Sequence, residues 1–523
     1  MRESVTELTD RIVIYDTTLR DGAQTEGVLF SSEDKLDIIR SLDDFGIDFV
    51  EGGWPGSNPV DDEFFSKIDG RKLKNTKLVA FGSTRRSTCP PEEDTNLKTL
   101  AECPAEWCCI FGKAWDFQVE KVLEIGLDEN LDLIQDSIRF LVSKGKHVIF
   151  DAEHFFDGYK SNMKYAINVL KAAETGGAEW LVLCDTNGGS LPSEISEAVE
   201  DALLSVDAPL GIHCHNDSDM ATACSMAAVE SGCTMVQGTI NGIGERCGNA
   251  NLCTLIPNLV YKTGMETSEM KMSDLTALSR SIGEIINIPT RTDMPYVGES
   301  AFTHKGGMHI SAMVKDTHTY EHLDPSLIGN SRKILVSEMA GKASIREKLE
   351  ELGLDYGDDI PDIMAKIKEM ESKGYQFEGA DASFELLVKR LRGELEPKFT
   401  VEGFKILIDN RLGDMDTEAS IKVLDSGGVL EQTAADGNGP VNALDKALRK
   451  SLLKFYPQIN DMKLTDYKVR TLDEKSATAA GVRVLIRSAD GKHSWTTVGV
   501  SENVVEASLI ALIDALEYKL MIG

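Results

Sequence analysis

Short apolar runs recur along the first half of the chain, and nearly every one ends in a polar or ionisable cluster. The runs are Ile12–Tyr15, Phe49–Gly52, Leu78–Phe81, Trp107–Phe111, Val148–Phe150, Trp180–Leu183, Leu210–His213 and Thr234–Gly238. The stretches between them carry helical periodicity. In Ser32–Phe45, for example, Leu36, Ile39 and Leu42, with Ile38 and Phe45, form one apolar face, and Ser32 is the expected N-cap. Strands alternating with helices predict βαβ units and a parallel sheet. Eight such units predict a closed (β/α)8 TIM barrel over 10–285, with catalytic groups at the C-terminal strand ends. A doubly wound open sheet is the competing arrangement. The strand count, and polar clusters spread around all the strand ends, favour the barrel.

From about Thr290 to Arg390 the alternation stops, and helical stretches such as Ile360–Met370, separated by glycine-containing turns, predict helical linker subdomains over 286–395. Past Pro397 the period changes again. Phe399–Ile408, Ala419–Leu424, Gly481–Ile486 and Ser494–Val500 read as strands. Gly437-Asn-Gly-Pro440 opens a helix through Leu453, and a last helix runs from about Asn503 to Tyr518. The expectation is an α+β C-terminal domain over 396–523 with its own core.

Composition narrows the function. The chain has 523 residues, enough for several domains, and 42% apolar residues, ordinary for a soluble protein. A distributed net charge of −31 argues against a binder of nucleic-acid backbones. No apolar run approaches the roughly 20 residues of a membrane span, and Met1–Asp10 has neither a secretory apolar region nor an Arg-rich transit character. Ten scattered cysteines, with no C-x2-C pairing among Cys103, Cys108 and Cys109, suggest reduced thiols and the cytoplasm.

The strand ends carry the chemistry. His213 and His215 are two apart, so on a strand they share one face. At a barrel mouth such a pair suits Zn, Mn or Fe and tolerates Mg; alone it reads equally as two hydrogen-bonded core histidines. Asp21, at the end of the first run, tips the balance towards a divalent metal by supplying negative charge. Arg20 beside it reads as a surface ion pair or, facing a metal, as an oxyanion stabiliser. Glu153 ends the fifth run and reads as a general base, a partner of a ligand or a solvated carboxylate. Asn241–Ala250 follows the eighth run, where such barrels often bind phosphate, although its glycine spacing matches neither a Walker loop nor a dinucleotide fingerprint. Cys247 within it reads as a small buried residue sooner than a reactive thiol. His304–His309 and Tyr320–His322 lie beyond the barrel, where histidines are structural or reach a neighbouring mouth in a dimer.

Together these motifs resemble the Claisen-type 2-oxo acid/acetyl-CoA synthases, comprising the isopropylmalate, homocitrate and citramalate synthases and related to hydroxymethylglutaryl-CoA lyases. Leu19-Arg-Asp-Gly-Ala-Gln24 with Lys35, His213-Cys-His-Asn-Asp217, Gly242-Ile-Gly-Glu-Arg-Cys-Gly-Asn249, and Phe302–His309 with Thr319–Pro325 correspond to the family's landmarks. The likeness runs over nearly the whole chain. Glu51–Pro59 and Val236–Gly242 are closest to the branch that uses pyruvate; the neighbouring reading is another 2-oxo acid. The resemblance implies an acyltransferase that converts acyl to alkyl on transfer. Asp21, His213 and His215 would hold a divalent metal (Mg, Mn or Zn), with Asn249 a further or indirect ligand. Arg20 would stabilise the developing alkoxide, and Glu153 and Thr186 would hold the 2-oxo acid. His309 and Tyr320 would serve enolisation of acetyl-CoA, contributed within a homodimer, and the C-terminal domain would take an amino-acid effector, isoleucine. Two positions depart from the family pattern: Asp219 replaces a usual glycine and Cys247 a usual alanine. A lyase is disfavoured by the long extension beyond the barrel, and a non-catalytic role by the presence of every expected site position.

Overall fold

The computed structural model describes residues 11–523 apart from 71, 306, 314, 335–341, 355–359, 378, 412–413 and 473–480. Met1–Asp10, in which no leader was read, lie outside the described residues. The chain divides into two compact units, Met1–Phe302 with Leu323–Ser331, and Thr303–His322 with Arg332–Gly523.

The first unit is the expected barrel. Strands β1 (Val13–Asp16), β2 (Phe49–Gly53), β3 (Lys77–Ser83), β4 (Trp107–Lys113), β5 (His147–Glu153), β6 (Trp180–Asp185), β7 (Leu210–Cys214) and β8 (Met235–Gly238) close in sequence order. β1 pairs in parallel with β8, Tyr15 opposite Gln237 and Asp16 opposite Gly238. The strands are apolar on both faces because both faces are covered. The pleat sends Val13, Tyr15, Phe49, Trp107 and Trp180 into the barrel interior, and Ile12, Ile14 and Val50 outwards into the layer shared with the helices.

The helix Ser32–Phe45 matches its sequence pattern, but its N-cap is Ser31, one residue before the expected Ser32. The Ser31 hydroxyl accepts from the Asp34 amide at 3.1 Å while the Asp34 carboxylate accepts from the Ser31 amide at 2.8 Å. This reciprocal pair satisfies two amides that the first turn leaves open, and it leaves Ser32 buried inside the turn.

In the second unit, β9 (Thr303–His304) and β10 (Lys333–Ile334) form a short parallel pair. Helices Lys342–Glu351, Ile360–Ser372 and Asp381–Leu391 then share a core that includes Leu349, Ile363, Ile367, Phe384 and Val498. The C-terminal part is an internal repeat: three antiparallel strands and a helix, twice. β11 (Phe399–Arg411), β12 (Asp414–Asp425) and β13 (Leu430–Gly437) precede the helix Pro440–Leu452. β14 (Lys463–Thr471), β15 (Val482–Ala489) and β16 (Ser494–Ser501) precede the helix Val504–Ile522. Both helices bury their apolar faces with the sheets in one core, through Leu444, Leu448, Leu512 and Leu516 against Ile421, Val423, Ile486 and Trp495. The sequence pattern had not indicated β13 and β14. Among the described residues no helix is long and apolar enough to cross a membrane.

Candidate active site

The site starts where β1 runs out. Its last residue, Asp16, accepts from the Thr18 amide at 2.9 Å and the Thr18 hydroxyl at 2.8 Å. The amides of Arg20, Asp21 and Gly22 all bond back to the Thr17 carbonyl, at 3.1, 2.8 and 3.1 Å. A Cβ at Gly22 would lie 2.8 Å from the end of the Ile243 side chain, so a larger residue there would require that side chain to move. The tight turn sets Arg20 and Asp21 side by side at the C-terminal mouth of the barrel. Burial raises the Asp16 carboxyl to about 7, against the opposing pull of the Thr18 bonds.

Facing this turn, the pleat of β7 presents His213, and His215 follows just past the strand end. One ligating atom from each of Asp21, His213 and His215 lies within 4.8 Å of the others, and all three residues are buried. His213 Nε2 is 3.3 Å from Asp21 Oδ2. Burial would raise the Asp21 carboxyl, yet the Arg20 charge and His213 hold it well below the usual carboxylate range. Burial and the neighbouring His213 push His215 down to about 3, so its imidazole is neutral at physiological pH. Burial pulls His213 down as well, but the bond to Asp21 and that carboxylate's charge carry it above its ordinary value.

Two polar atoms here are buried with no hydrogen-bond partner: His215 Nδ1 and Asn249 Oδ1. A buried acceptor without a partner costs roughly 1–3 kcal/mol, so such atoms call for an explanation. A carboxylate, two imidazoles and an orphaned amide oxygen are the donor set that a divalent cation satisfies. The loop after β8 aims Asn249. The Asn249 Nδ2 donates to the Ile243 carbonyl at 3.0 Å, and His215 and Asn249 form an isolated antiparallel bridge. Gly248, at φ 88°, allows this hairpin, since a Cβ there would sit 2.0 Å from the Gly242 carbonyl. The amides of Gly242, Gly248 and Asn249 are all bonded within residues 239–249, so this loop orients a side chain instead of cradling a phosphate with them.

Arg20 is fixed from behind. Its Nε donates to Glu51, its NH1 lies 3.5 Å from Asp21, and its guanidinium carbon stands 3.9 Å over the Phe81 ring. Glu51 is fully buried and also accepts from the Tyr15 hydroxyl at 2.6 Å. Sequence reading gave Glu51 no role of its own, although a glutamate inside an apolar strand was the available signal. It missed Asp151 and Gln237 entirely. Burial, then the Glu51 charge, raises Asp151 to about 6.

A cavity of about 230 Å³ opens over these groups; Trp54, Phe81 and Phe111 form its aromatic wall, and Glu153 and Thr186 also line it. Glu153 pairs with Lys113, and the Thr186 hydroxyl accepts from the His154 amide at 2.8 Å. His309 and Tyr320 belong to the second unit, where their exposed rings stack with centroids 4.0 Å apart. All ten cysteines are free; Cys247 is exposed, not buried as expected. Asp219, at the position where the family pattern has a glycine, lies at φ 58°, in the left-handed region that favours glycine.

Residues 11–282 match the family model described as HMGL-like. The chain belongs to that family. Residues 296–375 match a homocitrate synthase post-HMGL domain-like model and 378–520 the LeuA allosteric (dimerisation) domain. The chain is 51% identical to a protein named (R)-citramalate synthase from Aquifex aeolicus, over 98% of each chain. It is 52% identical to one of the same name from Geobacter sulfurreducens, over 97% of each. A 2-isopropylmalate synthase from Methanocaldococcus jannaschii is more distant, 30% identical over 97% of this chain and 94% of that one. The family membership and the barrel expected from the motifs are thus both found.

Proposed function

We propose that this chain condenses acetyl-CoA with pyruvate and hydrolyses the thioester, releasing (R)-citramalate and CoA. The observation that carries the chemistry is the cluster of Asp21, His213 and His215 beside Arg20 at the floor of one small cavity. Near-full-length similarity to the citramalate synthases selects pyruvate over other 2-oxo acids.

Asp21, His213 and His215 hold a divalent cation (Mg, Mn or Zn), with Asn249 as a further or indirect ligand; when bound, it supplies Lewis-acid polarisation of the ketone. Arg20, with Glu51 setting its angle, presents guanidinium hydrogens to the oxygen that gains charge as the new carbon–carbon bond forms. The Thr186 hydroxyl, its lone pair taken by the His154 amide, keeps its hydrogen for an oxygen of the 2-oxo acid. Glu153, its charge balanced by Lys113, accepts from the hydroxyl of the forming product. His309 and Tyr320, contributed by a second copy in a homodimer, serve removal of the acetyl methyl proton and hold the enolate oxygen. Selection of a methyl group over a branched one would fall to the aromatic wall of Trp54, Phe81 and Phe111. Among the described cavity-lining residues Arg20 is the sole cation, and Glu51 and Asp21 already engage it, so a distal carboxylate finds no partner. The C-terminal domain takes isoleucine as a feedback effector, placing the enzyme in isoleucine biosynthesis, and ten unpaired cysteines support a cytoplasmic setting.

The test is the purified enzyme against a panel of 2-oxo acids, with released CoA read by a thiol reagent. Pyruvate is expected to exceed 2-oxoisovalerate and 2-oxoglutarate in kcat/KM by at least about tenfold, the scale a methyl or branch provides. Higher kcat/KM for 2-oxoisovalerate would replace this reading with an isopropylmalate synthase.

A further inference from the structure

The Nδ1 edge of the His213 ring is held by a chain of buried groups that the proposed reaction does not use. His213 Nδ1 is 2.8 Å from Gln237 Oε1, and Gln237 Nε2 is 3.2 Å from Asp151 Oδ1. All three residues are buried, Gln237 completely. The first link is built into the barrel, because His213 and Gln237 are register partners on β7 and β8. The second crosses the interior to β5.

The chemistry of the three groups gives this chain a direction. A carboxylate accepts and does not donate, so Asp151 faces the NH2 end of the Gln237 amide. The amide is then bound to present its oxygen to His213. An oxygen there requires the hydrogen on Nδ1, so Nε2, the atom 3.3 Å from Asp21, is the nitrogen that gives up its hydrogen when a cation takes its lone pair. Glutamine is the residue that does this, since it accepts at one end and donates at the other. We propose that Gln237 is a positioning residue that, oriented by Asp151, keeps a hydrogen on His213 Nδ1 so that Nε2 is the nitrogen open to a divalent cation. The inference rests on the cation site proposed above. It adds the residue that keeps one ligand in its binding form, a role that outer groups fill for metal-bound histidines generally.

Two measurements separate the inference from the reading beneath it. Nitrogen NMR of protein labelled at histidine reads the tautomer without any metal. Wild type is expected to show His213 with hydrogen on Nδ1, and Gln237→Leu a mixture or the opposite form. Titration with Mn2+ alone reads affinity: His215→Ala is expected to abolish specific binding, and folded Gln237→Leu to weaken it about 10–100-fold. Asp151→Asn keeps the interior volume and frees the amide to turn over, so it is expected to mix the tautomers even if Gln237→Leu fails to fold. A wild-type His213 whose only ring hydrogen is on Nε2 overturns the lock whatever the metal does. So does Mn2+ affinity unchanged in folded Gln237→Leu. Wild type that binds Mn2+ no better than His215→Ala removes the cation site itself, and with it the lock's purpose, while the tautomer still reports on the hydrogen-bond chain.

Discussion

His215 is a neutral imidazole at physiological pH and has a buried ring nitrogen with no hydrogen-bond partner, a cost that a cation at the proposed site would relieve. Binding to the native state adds stability as RT ln(1 + [L]/Kd), about 2.7 kcal/mol at a hundredfold excess over Kd. A chelator is therefore expected to lower the melting temperature of wild type by several degrees and leave His215→Ala unmoved, with the variant losing most of its turnover. Calorimetry with and without chelator checks both; an equal response of the two proteins rejects the assignment. Asp16 makes a separate prediction. Its carboxyl is raised from 3.8 to about 7 by burial, so between those values the folded chain binds a proton that the unfolded chain has released. Stability then falls as pH rises through this window and levels off above it, by up to on the order of 4 kcal/mol for one such group. In chelator, the urea midpoint of wild type is expected to drop between pH 5 and pH 8 by more than that of Asp16→Asn; parallel curves would mean that Asp16 is ionised throughout. At this scale the sequence showed Asp21, His213 and His215, because H-x-H spacing and strand ends are local signals. Glu51, Asp151 and Gln237 act through contacts across the barrel interior, and no spacing along the chain encodes which strands those contacts join.

The strands of the barrel were legible as elements because they are buried on both faces and read as unbroken apolar runs. The same logic explains the two that were not. β13 and β14 are edge strands of three-stranded sheets with no buried side chain, so Leu430–Gly437 and Lys463–Thr471 carry no unbroken apolar run. Their pairing is set by the strand beside them. Glycines in the loop after β8 were legible as a motif but not as a device. Gly248 combines φ 88° with a carbonyl 2.0 Å from any added Cβ, so an alanine there meets both a backbone penalty and a clash. Gly248→Ala is expected to destabilise the barrel by about 1–3 kcal/mol and to weaken Mn2+ binding by displacing Asn249. Melting temperature and Mn2+ titration together check this; full affinity in the variant would take Asn249 out of the cation site.

At the scale of the whole molecule, a catalytic barrel is joined to a segment matching a domain described as allosteric, and the end of one helix suggests how that domain is addressed. The helix Pro440–Leu452 starts at Gly439, which offers no side-chain cap. Its first-turn amides and the positive end of its dipole suit a carboxylate, such as that of the proposed effector isoleucine. Removing the domain is a poor test. The helix Asp381–Leu391 depends on it: the Ser383 hydroxyl accepts from the Val498 amide at 3.0 Å, and Arg390 pairs with Asp514 at 2.8 Å. A cut near Glu396 would strip those partners and expose the apolar face around Phe384. Gly439→Asp is the sharper change. Gly439 has φ 172°, which any residue adopts, and no atom lies within 4 Å of an added Cβ. The new carboxylate would cap the helix, stabilise it by about 1 kcal/mol, and occupy the amides that the effector needs. Wild type is expected to lose activity with isoleucine, through a coupling of about 1–3 kcal/mol. Gly439→Asp is expected to keep its basal rate and need at least about tenfold more isoleucine for the same inhibition. Inhibition identical in both proteins would put the effector elsewhere in the domain. If isoleucine, leucine and valine all leave wild type unaffected, the domain's role is assembly alone.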